Sequence, residues 1–308
     1  MSVILALDPG YLRTRVAVAR AGSVTVRTVA AGQDPVAFGA SFAGAKISAV
    51  VVPAGPPVLE YPWHPRCVAA KNASSYCEDA GIPLIVAGRA AGPLPPVARP
   101  TGFPGRDRRA TFYDIPEEDA FLSAAGASGI SAATARMVVV YAGEETSVSA
   151  RAGGEVIDSS DPAGCEGPFG LTSAGTMPAT AFVSYVSSAD MPYEKMRDKM
   201  KSSSGAFAYA GVDSLEALGI AATAGNAGAV EAISGMAYQI SKEIGRMAAS
   251  LRGDVHRVVL CGPGAGIESL VQNVSNRVEK WAPLHVIFGD LVIPRLVSEG
   301  MRALALNL

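Results

Sequence analysis

The pattern that most restricts how this 308-residue chain can fold is a strand–turn–strand–turn–strand meander that occurs twice. In the first copy Val3–Leu7 reads as a buried strand and Asp8-Pro9-Gly10 as a turn. Arg15–Ala21 then resumes an extended apolar run, and Gly22 turns it into Val24–Val29. The second copy runs from Met137–Tyr141 through a turn at Ala142-Gly143 into Ser147–Ala152, then through Gly153-Gly154 into Glu155–Asp158. The tetrapeptide Ala-Arg-Ala-Gly stands at the same place in both, at Ala19–Gly22 and Ala150–Gly153. A repeat this long predicts duplicated lobes, not a solenoid of short units. Length agrees, since about 100–200 residues per domain predicts two domains or two lobes. The division falls between 1–131 and 132–308.

Between the repeats, Ile47–Val52 and Pro83–Ala87 read as strands and Arg66–Ala80 as a helix. A Pro- and Gly-rich connection, Gly92–Pro104, leads to a helix near Glu117–Ala125. After the second meander comes a long Gly/Pro/Ser loop, Asp161–Pro178, of a length that in compact domains is functional or disordered. Helices follow near Ala179–Ser187 and Tyr193–Lys201. The clearest helix is Ala227–Leu251: Val230, Ile233, Ala237, Ile240, Ile244, Met247 and Leu251 fall on one face. Asn226 can cap its start and Gly253 can end it. The remaining elements are a strand at Arg257–Leu260, a Gly-rich turn, a helix with Ile267, Leu270, Val271, Val274 and Val278 on one face, a strand at His285–Phe288, and a helix from about Pro294.

Composition narrows the function classes. Nearly half the residues are hydrophobic, enough for sizeable cores. A net charge of -2 implies no broad basic surface for nucleic acid, and the arginines of Arg106–Arg109 form only a local run. Cys67, Cys77, Cys165 and Cys261 are scattered, without CxxC pairs, and only 3 histidines are present. That argues against structural zinc and for reduced thiols in the cytoplasm. The first residues read as a strand and turn, not a signal peptide. Pro, Gly and charged residues interrupt every apolar run before it could cross a bilayer.

Two segments carry phosphate-binding signals. Gly10 lets backbone amides approach a phosphate, Asp8 could hold magnesium through water, and Thr14 and Arg15 could add a hydroxyl and a cation. A plain hairpin turn explains the same residues. Gly262, Gly264 and Gly266 lie between a strand and a helix start, where anions are favoured. A tight connection without a ligand explains them equally well.

Taken together, the duplicated meanders and the later glycine loop resemble the superfamily of sugar kinases, heat-shock chaperone ATPases and actin. Within it the chain resembles the butyrate kinase branch of the acetate kinase family, and four stretches carry that likeness. Leu5–Val18 is similar to the family's Asn-Pro-Gly phosphate loop, with Asp8 replacing the Asn and Arg15 standing where the family has Lys. Gly81–Phe112 contains Gly-Ile-Pro and the Arg99, Gly102, Pro104 and Arg108 pattern. Gly154–Pro178 contains Glu166-Gly167-Pro168-Phe169 and Ser173–Pro178. Ala237–Gly266 contains the Ala237–Gly245 run of the family's long helix and the glycine loop.

The resemblance implies an α/β, two-lobed actin-like ATPase (ribonuclease H-like) fold. Residues 1–131 and 132–308 would form the N- and C-terminal lobes, with ATP in a cleft between them. It implies transfer of the ATP γ-phosphoryl to a short-chain carboxylate with magnesium, in a cytoplasmic homodimer. Departures from the pattern are concentrated at catalytic positions. Pro53 stands for an Arg, Ala87 for an Asp, Tyr113 for a His and Ser173 for an Arg. The second phosphate loop becomes Tyr141-Ala142-Gly143-Glu144-Glu145, where two carboxylates would repel a phosphate. Arg108 and Glu166 are the expected catalytic contacts. Asp8, Gly10, Thr14, Arg15, Gly143, Gly262, Gly264 and Gly266 are expected at the nucleotide, and Asp8 and Asp290 at the metal. The alternative is a catalytically deficient nucleotide-binding or regulatory protein on the same fold.

Overall fold

The structure is a computed structural model that describes residues 2–306 apart from Ala21, Leu59, Ala91 and Pro93. The first meander is β1 (Ile4–Pro9), β2 (Arg13–Arg20) and β3 (Ser23–Ala30). After it come α1 (Pro35–Ala43), β4 (Ala49–Pro53), α2 (Pro65–Ala80), β5 (Leu84–Ala87) and α3 (Asp114–Ala127). The second meander is β6 (Arg136–Ala142), β7 (Thr146–Ala152) and β8 (Glu155–Ser159). The helices α4 (Ala179–Ala189), α5 (Tyr193–Ser202), α6 (Gly205–Ala210), α7 (Leu215–Thr223) and α8 (Ala227–Ser250) follow. The chain closes with β9 (Arg257–Cys261), α9 (Glu268–Val278), β10 (Leu284–Val286) and α10 (Val292–Leu306).

The described strands form two five-stranded sheets, ordered β3-β2-β1-β4-β5 and β10-β9-β6-β7-β8. Read from the meander edge these are one order. In each, the three meander strands pair antiparallel and the two later strands join parallel to the meander's first strand. β1, β4, β6 and β9 are central or buried on both faces, which is why they read as unbroken apolar runs.

Packing divides the chain into two compact units, Met1–Ala91 with Asp290–Leu308, and Gly92–Gly289. This differs from a cut at 131/132, for a definite reason. The helix that ends the first half, α3, packs on β6 and β9 of the second sheet, and the helix that ends the second half, α10, packs on β1 and β4 of the first. Sequence shows where the repeat restarts but not that each half's last helix covers the other half's sheet.

In the first unit, α1 and α2 cover one face of the sheet, where Leu5, Leu7, Val16, Val18, Val50 and Val52 join one core. α10 covers the other: a Cβ on its Gly300 would lie 2.8 Å from Val51 and 2.9 Å from Ile4. The alternation of Ile4 and Leu5 between the faces is the two-residue period of a strand. α1 has no counterpart in the sequence reading, although Asp34 caps it, accepting from Val36 and Ala37 amides at 2.8 and 3.2 Å, and left-handed Gly44 ends it.

In the second unit, α8 matches its expected span. Asn226 accepts from the Ala229 amide at 2.9 Å, and Gly253, at φ 75°, donates to the Ala248 carbonyl. Ile233, Ala237, Ile240, Ile244 and Met247 are buried as expected, whereas Val230 is 48% exposed although its neighbour Ala229 is fully buried. α3 begins at Asp114, three residues before the expected start. Its Glu117 is fully buried and binds the Ser147 and Ser149 hydroxyls, the Tyr113 amide and the Arg151 guanidinium of β7. This helix is therefore fixed to its sheet partly by a buried ion pair, a feature the apolar periodicity does not carry. Among the described residues no helix is long and apolar enough to cross a membrane.

Candidate active site

The β1–β2 turn sits at the carboxyl end of a central strand, the place where ligands bind in open α/β sheets. Its geometry follows from the ladder. Asp8 pairs with Arg15 and Pro9 with Thr14, and the Gly10 amide closes the turn on the Arg13 carbonyl at 3.0 Å. Cross-strand pairing sets the two side chains together: Arg15 Nε and Nη2 donate to Asp8 Oδ2 at 2.9 and 2.5 Å. A second carboxylate arrives from the start of α10. Asp290 Oδ2 accepts from Arg15 Nη1 at 2.8 Å and its Oδ1 from Nη2 at 3.2 Å. Asp290 Oδ1 also caps α10 through the Val292 and Ile293 amides. Burial alone would lower the Arg15 pKa, but Asp8 and then Asp290 outweigh it and raise it further above its ordinary value. The cluster is partly open, with the side chains of Arg15 and Asp290 each 35% exposed and that of Asp8 15%. Thr14 is almost fully covered.

The equivalent turn of the second unit, between β6 and β7, is closed by the chain itself. The Gly143 amide donates to the Glu145 carbonyl, and the Gly143 carbonyl accepts from Leu171. The Glu144 carbonyl accepts from the Thr172 and Ser173 amides, so residues 170–173 of the long loop lie directly on the turn. Gly170 permits this approach, since a Cβ there would lie 2.3 Å from the Glu144 carbonyl oxygen. Glu145 points inward and is 1% exposed; its carboxylate binds the Lys201 ammonium and the Tyr113 hydroxyl. Lys201 also donates to the Pro162 carbonyl at 2.5 Å, and the Tyr113 ring stacks on Tyr141 with centroids 4.8 Å apart. The expected repulsion of a phosphate by Glu145 is thus replaced by a neutralised, buried carboxylate. Residues 170–173 of the Asp161–Pro178 loop thus cover this turn.

The glycine loop after β9 is a short 3-10 turn, Pro263–Gly266, leading to α9. Gly262 adopts φ 86°, and a Cβ there would come within 2.8 Å of the Ala142 carbonyl oxygen. A Cβ on Gly264 would meet the Ala142 methyl at 2.6 Å. Both glycines are therefore required by the close approach of β6, with or without a ligand. Gly266 faces open space, and Ile267 at the N-cap provides no side-chain cap for α9.

Arg108 and Glu166 are brought together, but in a saturated network. Arg108 Nε donates to Glu166 at 3.0 Å, Nη1 to the Ala98 carbonyl at 3.0 Å and Asp158 at 3.3 Å, and Nη2 to Asp158 at 3.3 Å and the Ser159 carbonyl at 3.2 Å. Every N–H of the guanidinium is engaged. A substrate carboxylate would have to displace Asp158 or Glu166 to reach it. Arg246 of α8 donates to Glu166 at 2.5 Å and to Glu243 at 3.2 Å. Burial, more than any neighbouring charge, pushes the Glu243 carboxyl up from its ordinary value.

Comparison with known proteins bears on these geometries. No protein-family model matches the chain. A protein described as probable butyrate kinase from Elusimicrobium minutum (strain Pei191) is 30% identical over 226 residues, 70% of this chain and 61% of that protein. One of the same description from Enterococcus faecalis (strain ATCC 700802 / V583) is 26% identical over 242 residues, 78% of this chain and 67% of that protein. The chain thus spans about three fifths to two thirds of their length. The crystal structure of Porphyromonas gingivalis acetate kinase superposes with a TM-score of 0.75 at 17% identity, covering 99% of this chain and 100% of that one. A propionate kinase from Francisella tularensis subsp. tularensis SCHU S4 gives 0.73 at 13% identity, covering 96% and 99%. The chain is thus similar in sequence to proteins described as probable butyrate kinases and shares the fold of an acetate kinase and a propionate kinase. The duplicated mixed sheets match the actin-like fold of those two solved structures.

Against the family pattern, Pro53 and Ala87 terminate the neighbouring parallel strands β4 and β5 and are paired in register. The Ala54 amide donates to the Ala87 carbonyl at 2.8 Å, and Arg66 Nη1 donates to the Ala54 carbonyl at 3.2 Å. Ser173 is buried with its hydroxyl 3.9 Å from the Cys165 thiol. Tyr113 serves Glu145. Sequence reasoning missed Lys201, the buried partner of Glu145. Its only signal was a lysine in the last turn of a charged helix, indistinguishable from the exposed Lys199 beside it.

Proposed function

We propose that this chain binds magnesium-ATP and transfers the γ-phosphoryl group to a short-chain carboxylate. A carboxylate oxygen bonds to the γ-phosphorus as the bond from that phosphorus to the β-phosphate oxygen breaks, giving an acyl phosphate and ADP. The observation that carries the reading is the Asp8–Arg15–Asp290 cluster beside the Gly10 turn, in a chain similar to proteins described as probable butyrate kinases. Such a reaction needs positioning and charge neutralisation more than covalent help from the protein. Gly10 and Thr14 would hold phosphate oxygens through an amide and a hydroxyl, and Arg15 would supply the cation. Gly262, Gly264 and Gly266 would take the nucleotide at the start of α9.

The donor set suits magnesium: Asp8 and Asp290 supply hard carboxylate oxygens, and two protein carboxylates leave the other positions to water and phosphate. Magnesium would neutralise charge on the transferring phosphates. Arg108 and Glu166 would shape the site indirectly, by fixing β8 and the Asp161–Pro178 loop. Family resemblance supports a homodimer, and the free state of Cys67, Cys77, Cys165 and Cys261 supports a cytoplasmic setting.

Trapping acyl phosphate as hydroxamate over a panel of short carboxylates tests the reaction, and calorimetry with magnesium-ATP tests the binding. Turnover with at least one acid is expected. Binding without turnover on any of them would instead make this a nucleotide-binding protein that has lost its chemistry, as the residues at Ala87, Tyr113 and Ser173 would then explain. Sedimentation velocity tests the dimer.

A further inference from the structure

We propose that Arg15 is a built-in placeholder for the divalent cation, which must be displaced before metal can enter. The proposal rests on the reading of Asp8 and Asp290 as metal-holding groups given above. Two carboxylates delivered by different elements, β1 and the head of α10, converge on one guanidinium through contacts of 2.9, 2.5, 2.8 and 3.2 Å. Without a cation between them they would repel each other, so the arrangement requires one, and Arg15 provides it from within. The planar guanidinium fork meets both carboxylates with two contacts each, which an ammonium, a single point of charge, does not match.

The pairing of replacements is consistent with this. Where the family pattern has a neutral Asn and a Lys, this chain has Asp8, which adds a negative charge, and Arg15, which bridges it to Asp290. The cluster is also able to exchange. Arg15 and Asp290 are each about a third exposed, and Arg15 lies opposite Asp8 on the ladder, so a released guanidinium remains beside the Gly10 turn. A metal arriving alone must break these contacts with nothing to compensate Arg15. A metal arriving with phosphate gives Arg15 a new anionic partner. Metal and phosphate binding are thereby coupled, each favouring the other.

The test is a manganese titration of the whole chain without nucleotide, following free Mn2+ by electron paramagnetic resonance. Wild type is expected to bind Mn2+ weakly, R15Q about tenfold more tightly, a factor within the usual range of coupling between sites. The double variant R15Q/D290N is expected to lose the gain. Equal affinities in wild type and R15Q, or a gain that survives in R15Q/D290N, overturn the placeholder. Should R15Q fail to fold, R15K carries the same test with the same sign, because it breaks the fork while keeping a charge. Magnesium-ATP calorimetry on wild type runs in parallel. No ATP binding there overturns the nucleotide reading itself, whereas ATP binding with unchanged Mn2+ affinities overturns only the placeholder.

Discussion

The turn between β1 and β2 and the turn between β6 and β7 occupy the same place in the two copies of one meander, yet they have been finished differently. The first ends beside an ion cluster that reaches solvent, where Arg15 holds Asp8 and Asp290. The second is covered by residues 170–173, and its charges, Glu145 and Lys201, are 1% and 3% exposed. Duplication supplies two turn sites at the ends of two central strands, and only one is left available to a ligand. The other has become core, held by a buried ion pair with little room for further exchange. A charge at the open turn should govern affinity and leave stability nearly untouched, and a charge at the closed turn should do the reverse.

The largest expected effect breaks the closed turn. Lys201→Met leaves the Glu145 carboxylate buried without its cation, and removing one partner of a buried pair costs about 3–5 kcal/mol. Urea unfolding should show the loss in the midpoint. A change below about 0.5 kcal/mol, the usual size of a surface substitution, would mean the second turn is not held as described. Gly170→Ala is next. Its Cβ would meet the backbone oxygen of Glu144 at 2.3 Å, where no flexible side chain can move aside. Overpacking of this kind costs about 1–3 kcal/mol. The same unfolding experiment reads it, and a neutral result would show that the loop can lift from the turn.

At the open turn the expectation inverts. Arg15→Gln removes ion pairs that are about a third exposed, and pairs of that kind contribute about 0–1 kcal/mol to stability. Magnesium-ATP affinity, by contrast, should fall about tenfold, equivalent to about 1.4 kcal/mol. If Arg15→Gln instead unfolds the protein and spares ATP binding, the contrast between the two turns collapses.

Much of this contrast was legible in the residues, and its limits are physical. The repeat, the order of strands and the Asp8–Arg15 hairpin follow from local apolar runs and turn residues, and the fold confirms them. Asp290 could be proposed only through the resemblance, because a carboxylate 275 positions from Arg15 has no local signature. The structure pairs Arg108 with Glu166, and sequence cannot show that pairing or that Asp158, Ala98 and Ser159 engage the remaining guanidinium hydrogens. Glu145 reads in sequence as a carboxylate that would repel a phosphate, because nothing near it indicates Lys201, 56 residues away. The exchange of α3 and α10 between the sheets is invisible for the same reason: helix periodicity specifies that a face is buried, not which sheet buries it.

The smallest expected effect concerns the far end of the covering loop, where Glu166 is held by Arg108 and by Arg246, itself paired with Glu243. Burial is the main cause that lifts the Glu243 carboxyl above its ordinary value of 4.5, opposed by Arg246 and reinforced by Glu166. The folded protein therefore keeps the Glu243 proton to higher pH than the unfolded chain does. Linkage then gives the sign: this group's contribution is fully present below about pH 4.5 and is lost as pH rises through the raised folded value. Glu243→Gln carries no such titration. Relative to wild type it should gain stability as pH rises from that point. Thermal melts of both proteins across pH 4–7 should therefore diverge upward for the variant. Parallel curves would show that the Glu243 charge is fully compensated by Arg246, and that the loop's outer anchor, unlike the Lys201 end, bears no buried-charge cost.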